Sequence, residues 1–238
     1  IHWHAAPPLR YGPGFGVKAR ESMFENVAAH FRHERPSVDF CSLRVARERS
    51  QDLTVRQGVL QPVGNVDDFG AMIVIHHQGG IGYAATADLS RSGIRQAMAT
   101  AQTWAERTAA ISVTDFSAIA MPHPRGVYET PITQSWDRQS LTDKISLLQN
   151  LAARLKTDAR IVDWEASLWW TAQESLYLTS DGGEVAQIQH ILVPHLEVAA
   201  NADGDTVVRS LGGRAYARQA GLELLDEADL TAKAEQIT

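Results

Sequence analysis

The sequence contains a single cysteine, Cys41, so no intrachain disulfide can form. That suits a reducing compartment. No apolar run approaches the roughly 20 residues a membrane helix needs, so a membrane partner is not expected. Lysine and arginine never run beyond two in succession, and the net charge is −6. Phosphate binding needs a basic surface, so nucleic acid is not an expected partner either. Several catalytic signatures are missing: G-x-x-x-x-G-K-[ST], G-x-S-x-G, H-E-x-x-H and H-x-x-E-H. Those absences exclude a P-loop and leave no nucleophile elbow or gluzincin helix. What remains is the balance of a globular chain, 44% hydrophobic and 21% charged.

Residues 1–19 are rich in proline, glycine and aromatics, and read as an extended lead-in. A helix follows, with Phe24, Val27, Ala28 and Phe31 on one face, and Pro36 ends it. Cys41, Leu43 and Val45 alternate as a half-buried strand, and Leu53 and Val55 begin a second. Met72 to Ile75 reads as a strand covered on both faces. Gly79-Gly80 turns the chain into a returning strand, Ile81 to Thr86. Asp88 or Ser90 then caps a helix from Arg91 to Ala109, with Ile94, Ala97, Met98, Ala101 and Ala105 on its apolar face. The first α+β unit thus covers residues 20–110, and residues 111–138, with Pro122, Pro124, Gly126 and Pro131, form a linker.

Residues 139–238 repeat the order. Ser140-Leu141-Thr142-Asp143 is a capping-box start, and Ile145, Leu148, Leu151, Ala152 and Leu155 form a helical stripe. Strands follow at Ile161 to Trp170, Ser175 to Thr179, Val185 to Ala199 (one long or broken strand, interrupted by Pro194) and Thr206 to Leu211. Asp181-Gly182-Gly183 and Asn201-Ala202-Asp203-Gly204 are turns, and a final helix closes the chain. The expected fold is α+β: two consecutive units of helix, antiparallel strand meander and helix, consistent with a diverged duplication. The chain begins at Ile1 and ends at Thr238 inside a helical pattern, as expected of a piece of a longer protein.

Chemical constellations are sparse. His30 and His33 stand at i and i+3 beside Glu34, a spacing that can chelate and that a small metalloenzyme would use, yet they flank the buried face. His76 and His77 are neighbours on a strand and point to opposite faces. His190 and His195 straddle Pro194, and His2 and His4 lie in the lead-in. Gly79, Gly80 and Gly82 lack dinucleotide spacing and lead into a strand. Cys41 reads as core. Trp164 and Trp170 share one strand face and Trp169 takes the other, which suits one buried face and one face meeting a partner or another part of the chain. No catalytic, cofactor-binding or metal-binding residue is assigned.

Several segments, in order, carry a resemblance. They are Gly80-Ile81-Gly82-Tyr83-Ala84-Ala85-Thr86-Ala87-Asp88-Leu89-Ser90, then His123-Pro124-Arg125-Gly126 with Tyr128, then Ser175-Leu176-Tyr177-Leu178-Thr179-Ser180-Asp181-Gly182-Gly183, and Arg209-Ser210-Leu211-Gly212-Gly213. The chain resembles the N-terminal portion of the TldD/PmbA family, the "modulator of DNA gyrase" zinc metallopeptidases. The resemblance implies two N-terminal α+β segments and, beyond the chain end, a metallopeptidase domain with H-E-x-x-x-H and a distant cysteine. That motif is absent here, so zinc is implied for the full-length protein and not for this chain. It also implies a homo- or heterodimer of family members, in the cytoplasm, enclosing a cavity for unfolded peptide. The role expected of this portion is to supply cavity walls and subunit contacts, non-catalytically. A free-standing interaction or assembly domain is the alternative.

Overall fold

The computed structural model describes residues 17–114 and 119–238. Its elements are α1 (Val17–Glu34), β1 (Phe40–Arg56), β2 (Val59–Leu60), β3 (Gly64–His77), β4 (Gly80–Thr86), α2 (Arg91–Ala109), β5 (Arg125–Glu129), α3 (Leu141–Leu155), β6 (Ile161–Thr179), β7 (Glu184–Ala202), β8 (Asp205–Gly212) and α4 (Glu227–Ile237). The strand order is β4-β3-β1-β6-β7-β5, with β2 also pairing β1 and β8 pairing β7. The α+β fold and the helix–meander–helix order, occurring twice, are as expected. Residues 111–138 additionally carry β5 and a short 3₁₀ turn, Trp136–Arg138.

Two units each hold their own core. Among the described residues the first comprises 17–47, 69–114, 119–128 and 174–187. Here Phe24, Val27, Ala28 and Phe31 of α1 are buried with the alternating Cys41, Leu43 and Val45 of β1 and the Ala71, Ile73 and Ile75 of β3. The α2 face of Ile94, Ala97, Met98, Ala101 and Ala105 joins them. Both helical stripes are the expected ones. Met72, however, is 43% exposed, so the β3 run is covered on one face rather than two. Helix α1 also starts earlier than the sequence suggests, taking in Val17, Lys18 and Ala19, since no proline or glycine follows Gly16. Cys41 is fully buried, and desolvation pushes its thiol up to about 12. Ellman's reagent should therefore leave the native chain unlabelled and modify its one thiol only after denaturation. Rapid labelling under native conditions would show that this core opens.

The second unit comprises residues 48–68, 129–173 and 188–238. Leu148, Leu151, Ala152 and Leu155 of α3 pack with Ala166, Leu168, Trp170 and Ala172 of β6, and α4 contributes Leu230, Ala234 and Ile237. Ser140 and Asp143 form the capping box that the sequence shows. One position departs from the predicted stripe. Ile145 is only half-buried, while Lys144, one residue earlier, is buried.

Three strands are longer than the sequence suggests. Residues Ala46 to Asp52 contain neither glycine nor proline, so β1 runs unbroken for 17 residues. The same lack of breakers lets β6 run on through Thr171–Gln173 for 19 residues. Pro194 does not interrupt β7. Leu192 exchanges both backbone hydrogen bonds with Arg218, and the β8 ladder starts only at His195↔Gly212. The N–H that proline lacks would fall between those two pairings, so no ladder bond is lost. Gln57-Gly58, Gln78-Gly79 and Asp203-Gly204 all have positive φ at both residues, the geometry of tight two-residue hairpins.

Candidate functional site

The sequence motifs fold into structural devices. In the segment from Gly80 to Ser90, β4 lies directly on α2. A Cβ on Gly80 would stand 2.0 Å from the Ala105 carbonyl oxygen, and one on Gly82 2.0 Å from that of Ala101. The rest of the segment starts α2. The Asp88 N–H donates to Thr86 Oγ1 (3.0 Å) and the Ser90 N–H to Asp88 Oδ1 (3.0 Å). Ser90 Oγ then accepts from the Gly93 N–H, an N-cap. Hydrogen bonds from Ser90 hold the Asp88 carboxyl below its ordinary range. Ser90→Ala should cost about 1 kcal/mol of stability, read as a lower urea midpoint at unchanged slope. An unchanged midpoint would show that Thr86 and Asp88 suffice to cap the helix.

The later motifs likewise close turns. The Gly183 N–H donates to Thr179 Oγ1 (2.8 Å), Arg125 Nε donates to the Gly182 carbonyl (2.9 Å), and the Ser180 N–H donates to the Cys41 carbonyl (2.7 Å). Gly212, with φ of +105°, lies where a Cβ would meet the Pro194 carbonyl oxygen at 2.2 Å. Two tyrosines of these segments stand out, Tyr83 at 70% exposure and Tyr128 at 40%.

The histidines are dispersed. His33 is exposed and joins Glu34 and Arg91 in a surface cluster, whose arginine holds the Glu34 carboxyl low. His30 is half-buried on the same helix. His76 is buried edge-on against Phe40, and desolvation lowers its pKa. His77 takes the other strand face. His190 stacks near Trp170, with ring centroids 6.4 Å apart, and His195 lies 3.6 Å from Glu197. His2 and His4 lie outside the described residues. Among the described residues no three histidine, cysteine, aspartate or glutamate side chains are grouped to hold a metal ion.

Sequence reasoning missed a tryptophan-lined cavity in the second unit, with a volume of about 500 Å³. Trp136 and Trp170 stack there nearly parallel, with ring centroids 5.4 Å apart and planes at 4°. Each ring carries a cation. Lys144 Nζ sits 3.8 Å from the Trp136 centroid, and the Arg49 guanidinium 5.5 Å from that of Trp170. Trp136 Nε1 donates to Gln51 Oε1 (3.0 Å), and Gln51 Nε2 donates to Asn65 Oδ1 (2.7 Å), which fixes the indole. Burial lowers the Lys144 pKa, with Asp137 opposing the shift. Trp169, across the strand, is 40% exposed, so β6 has one buried and one open aromatic face.

Residues 41–105 match the model of the family described as PmbA/TldA metallopeptidase domain 1. No curated protein matches the chain in sequence. Among solved structures, the chain is similar in fold to a protein from Thermotoga maritima described as a modulator of a DNA gyrase. That likeness has TM-score 0.68 and 14% identity, over 92% of this chain and 47% of that one. A Bacteroides thetaiotaomicron protein of the same description gives TM-score 0.65 and 12% identity, over 92% and 49%. TldE from Thermococcus kodakarensis gives 0.62 and 16%, over 92% and 46%. The chain thus spans about half the length of these relatives.

Proposed function

From the match of residues 41–105 to the first domain of the PmbA/TldA metallopeptidase family, we propose that the chain is a non-catalytic N-terminal region of a TldD/PmbA-type metallopeptidase acting on unfolded peptides. The observation that carries this reading is the match to a first domain, in a chain spanning about half of its structural relatives. In this reading the family's zinc, which would activate water against a peptide carbonyl, is held elsewhere than in residues 17–114 and 119–238. The sequence has no H-E-x-x-x-H, and among the described residues no three histidine, cysteine, aspartate or glutamate side chains are grouped. The two α+β units supply cavity wall and subunit contacts in a homo- or heterodimer of family members, in the cytoplasm. Tyr83, 70% exposed in an otherwise structural segment, and Met72 are the side chains we assign to such a contact.

The test is to purify the chain and measure bound zinc, cleavage of unfolded casein, and mass by light scattering, alone and mixed with a catalytic family subunit. The expected result is no stoichiometric zinc and no cleavage alone, with a complex formed in the mixture. Stoichiometric zinc or cleavage by the chain alone would overturn the reading. Absence of any complex would leave the domain without its proposed contact role and would equally defeat it.

A further inference from the structure

We propose that the tryptophan-lined cavity of the second unit is a binding site for the carboxylate of a small zwitterion, an α-amino acid or a peptide of two or three residues. This does not depend on the peptidase reading. Lys144 is 3% exposed, lines the cavity, and has no carboxylate partner among the described residues. Arg49, whose guanidinium lies over the Trp170 ring, adds a second cation to the same lining. Buried donors are normally satisfied. A cavity lined by a buried ammonium and a second cation is therefore matched to a ligand that brings acceptors and negative charge.

The charge balance narrows the class. Arg49 and Lys144 supply two positive charges to the lining, and Asp67 and Asp137 two negative ones. Asp137 is 62% exposed and its contact with Arg49 is long, 3.9 Å, so it does not neutralise that cation tightly. A phosphate dianion would meet both carboxylates unfavourably. A zwitterion instead places its carboxylate towards Lys144 and its ammonium towards the exposed Asp137. A volume of about 500 Å³ admits an amino acid or short peptide.

Tryptophan fluorescence and calorimetry on the whole chain test this, with the dipeptide Gly-Leu as probe. Gly-Leu should bind with a change in emission, and its C-terminal amide should bind at least about tenfold more weakly. Lys144→Met keeps the side-chain volume and should lose Gly-Leu binding while retaining its circular dichroism. Should that variant not fold, the exposed Asp137→Asn serves. It should weaken Gly-Leu more than N-acetyl-leucine, which has no ammonium. Leucine binding as well as Gly-Leu would identify the amino acid as the ligand, and selective Gly-Leu binding the peptide. Equal binding of acid and amide, undiminished binding by Lys144→Met, or stronger competition by inorganic phosphate than by Gly-Leu would each overturn the proposal.

Discussion

Gly82→Ala is expected to destabilise the chain by at least about 3 kcal/mol, a large share of the stability of an ordinary domain. The added methyl would sit 2.0 Å from the Ala101 carbonyl oxygen, 2.4 Å from the Ala105 nitrogen and 2.8 Å from Trp104 Cβ. Two of those atoms are helix backbone and cannot rotate aside. Helix α2 must then lift off β4 and lose part of the burial of Ala101 and Ala105, both now fully enclosed. Gly58→Ala is the comparison. It sits at φ of +75° with nothing within 4 Å of the new Cβ, so only left-handed backbone strain of about 1–2 kcal/mol is expected. Urea unfolding of the two variants separates contact from conformation. If Gly82→Ala costs no more than Gly58→Ala, the close strand–helix approach is not what holds this segment.

That contact explains which parts of the fold are legible in the sequence. Periodicity reports burial, and so the α1 and α2 stripes, and the Leu148, Leu151, Ala152 and Leu155 positions of α3, could be read directly. Turn chemistry reports itself through glycine, as at Gln78-Gly79 and Asp203-Gly204. Strand continuity does not. Arg47-Glu48-Arg49-Ser50-Gln51-Asp52 is polar enough to read as a gap, yet extended backbone needs only ladder partners and the absence of breakers. Pro194 reads as an interruption because its effect depends on which neighbour its missing N–H would have faced, a fact of pairing rather than of composition.

The cavity was hidden for a related reason. Its residues come from β1, β3, the 3₁₀ turn, α3 and β6, and no single segment contains a motif. A signal was nevertheless present. Lys144 stands four residues before Leu148 and seven before Leu151, so it falls on the same helical stripe as the core. A lysine on that stripe is either snorkelling or buried beside a partner. Here the partner is an indole.

Trp136→Ala should therefore be the second severe variant, costing about 3–5 kcal/mol. The ring is 4% exposed, stacked on Trp170, hydrogen-bonded to Gln51 and covered by the Lys144 ammonium. Removing it takes away a large apolar surface and the seat of a buried charge at once. Alkaline pH separates the two contributions. Burial sets the folded-state pKa of Lys144 below its ordinary 10.5. The unfolded chain thus holds that proton more tightly, and the stability of the native protein should rise as pH climbs from the lowered value towards 10.5. Below that window both states are protonated and the cost of burying the ammonium is fully present. Arg49, Asp67 and Asp137 are the other charged groups facing the cavity. Lys144→Met should abolish the rise, and at neutral pH should match or exceed wild-type stability by about 1 kcal/mol, because no charge is buried. Trp136→Ala should also flatten it, since water then reaches the ammonium. Denaturation midpoints measured from pH 7 to 10.5 in the three proteins decide the matter. A rise that persists in Lys144→Met would place its origin at some other group, and the ammonium over Trp136 would then carry no desolvation cost.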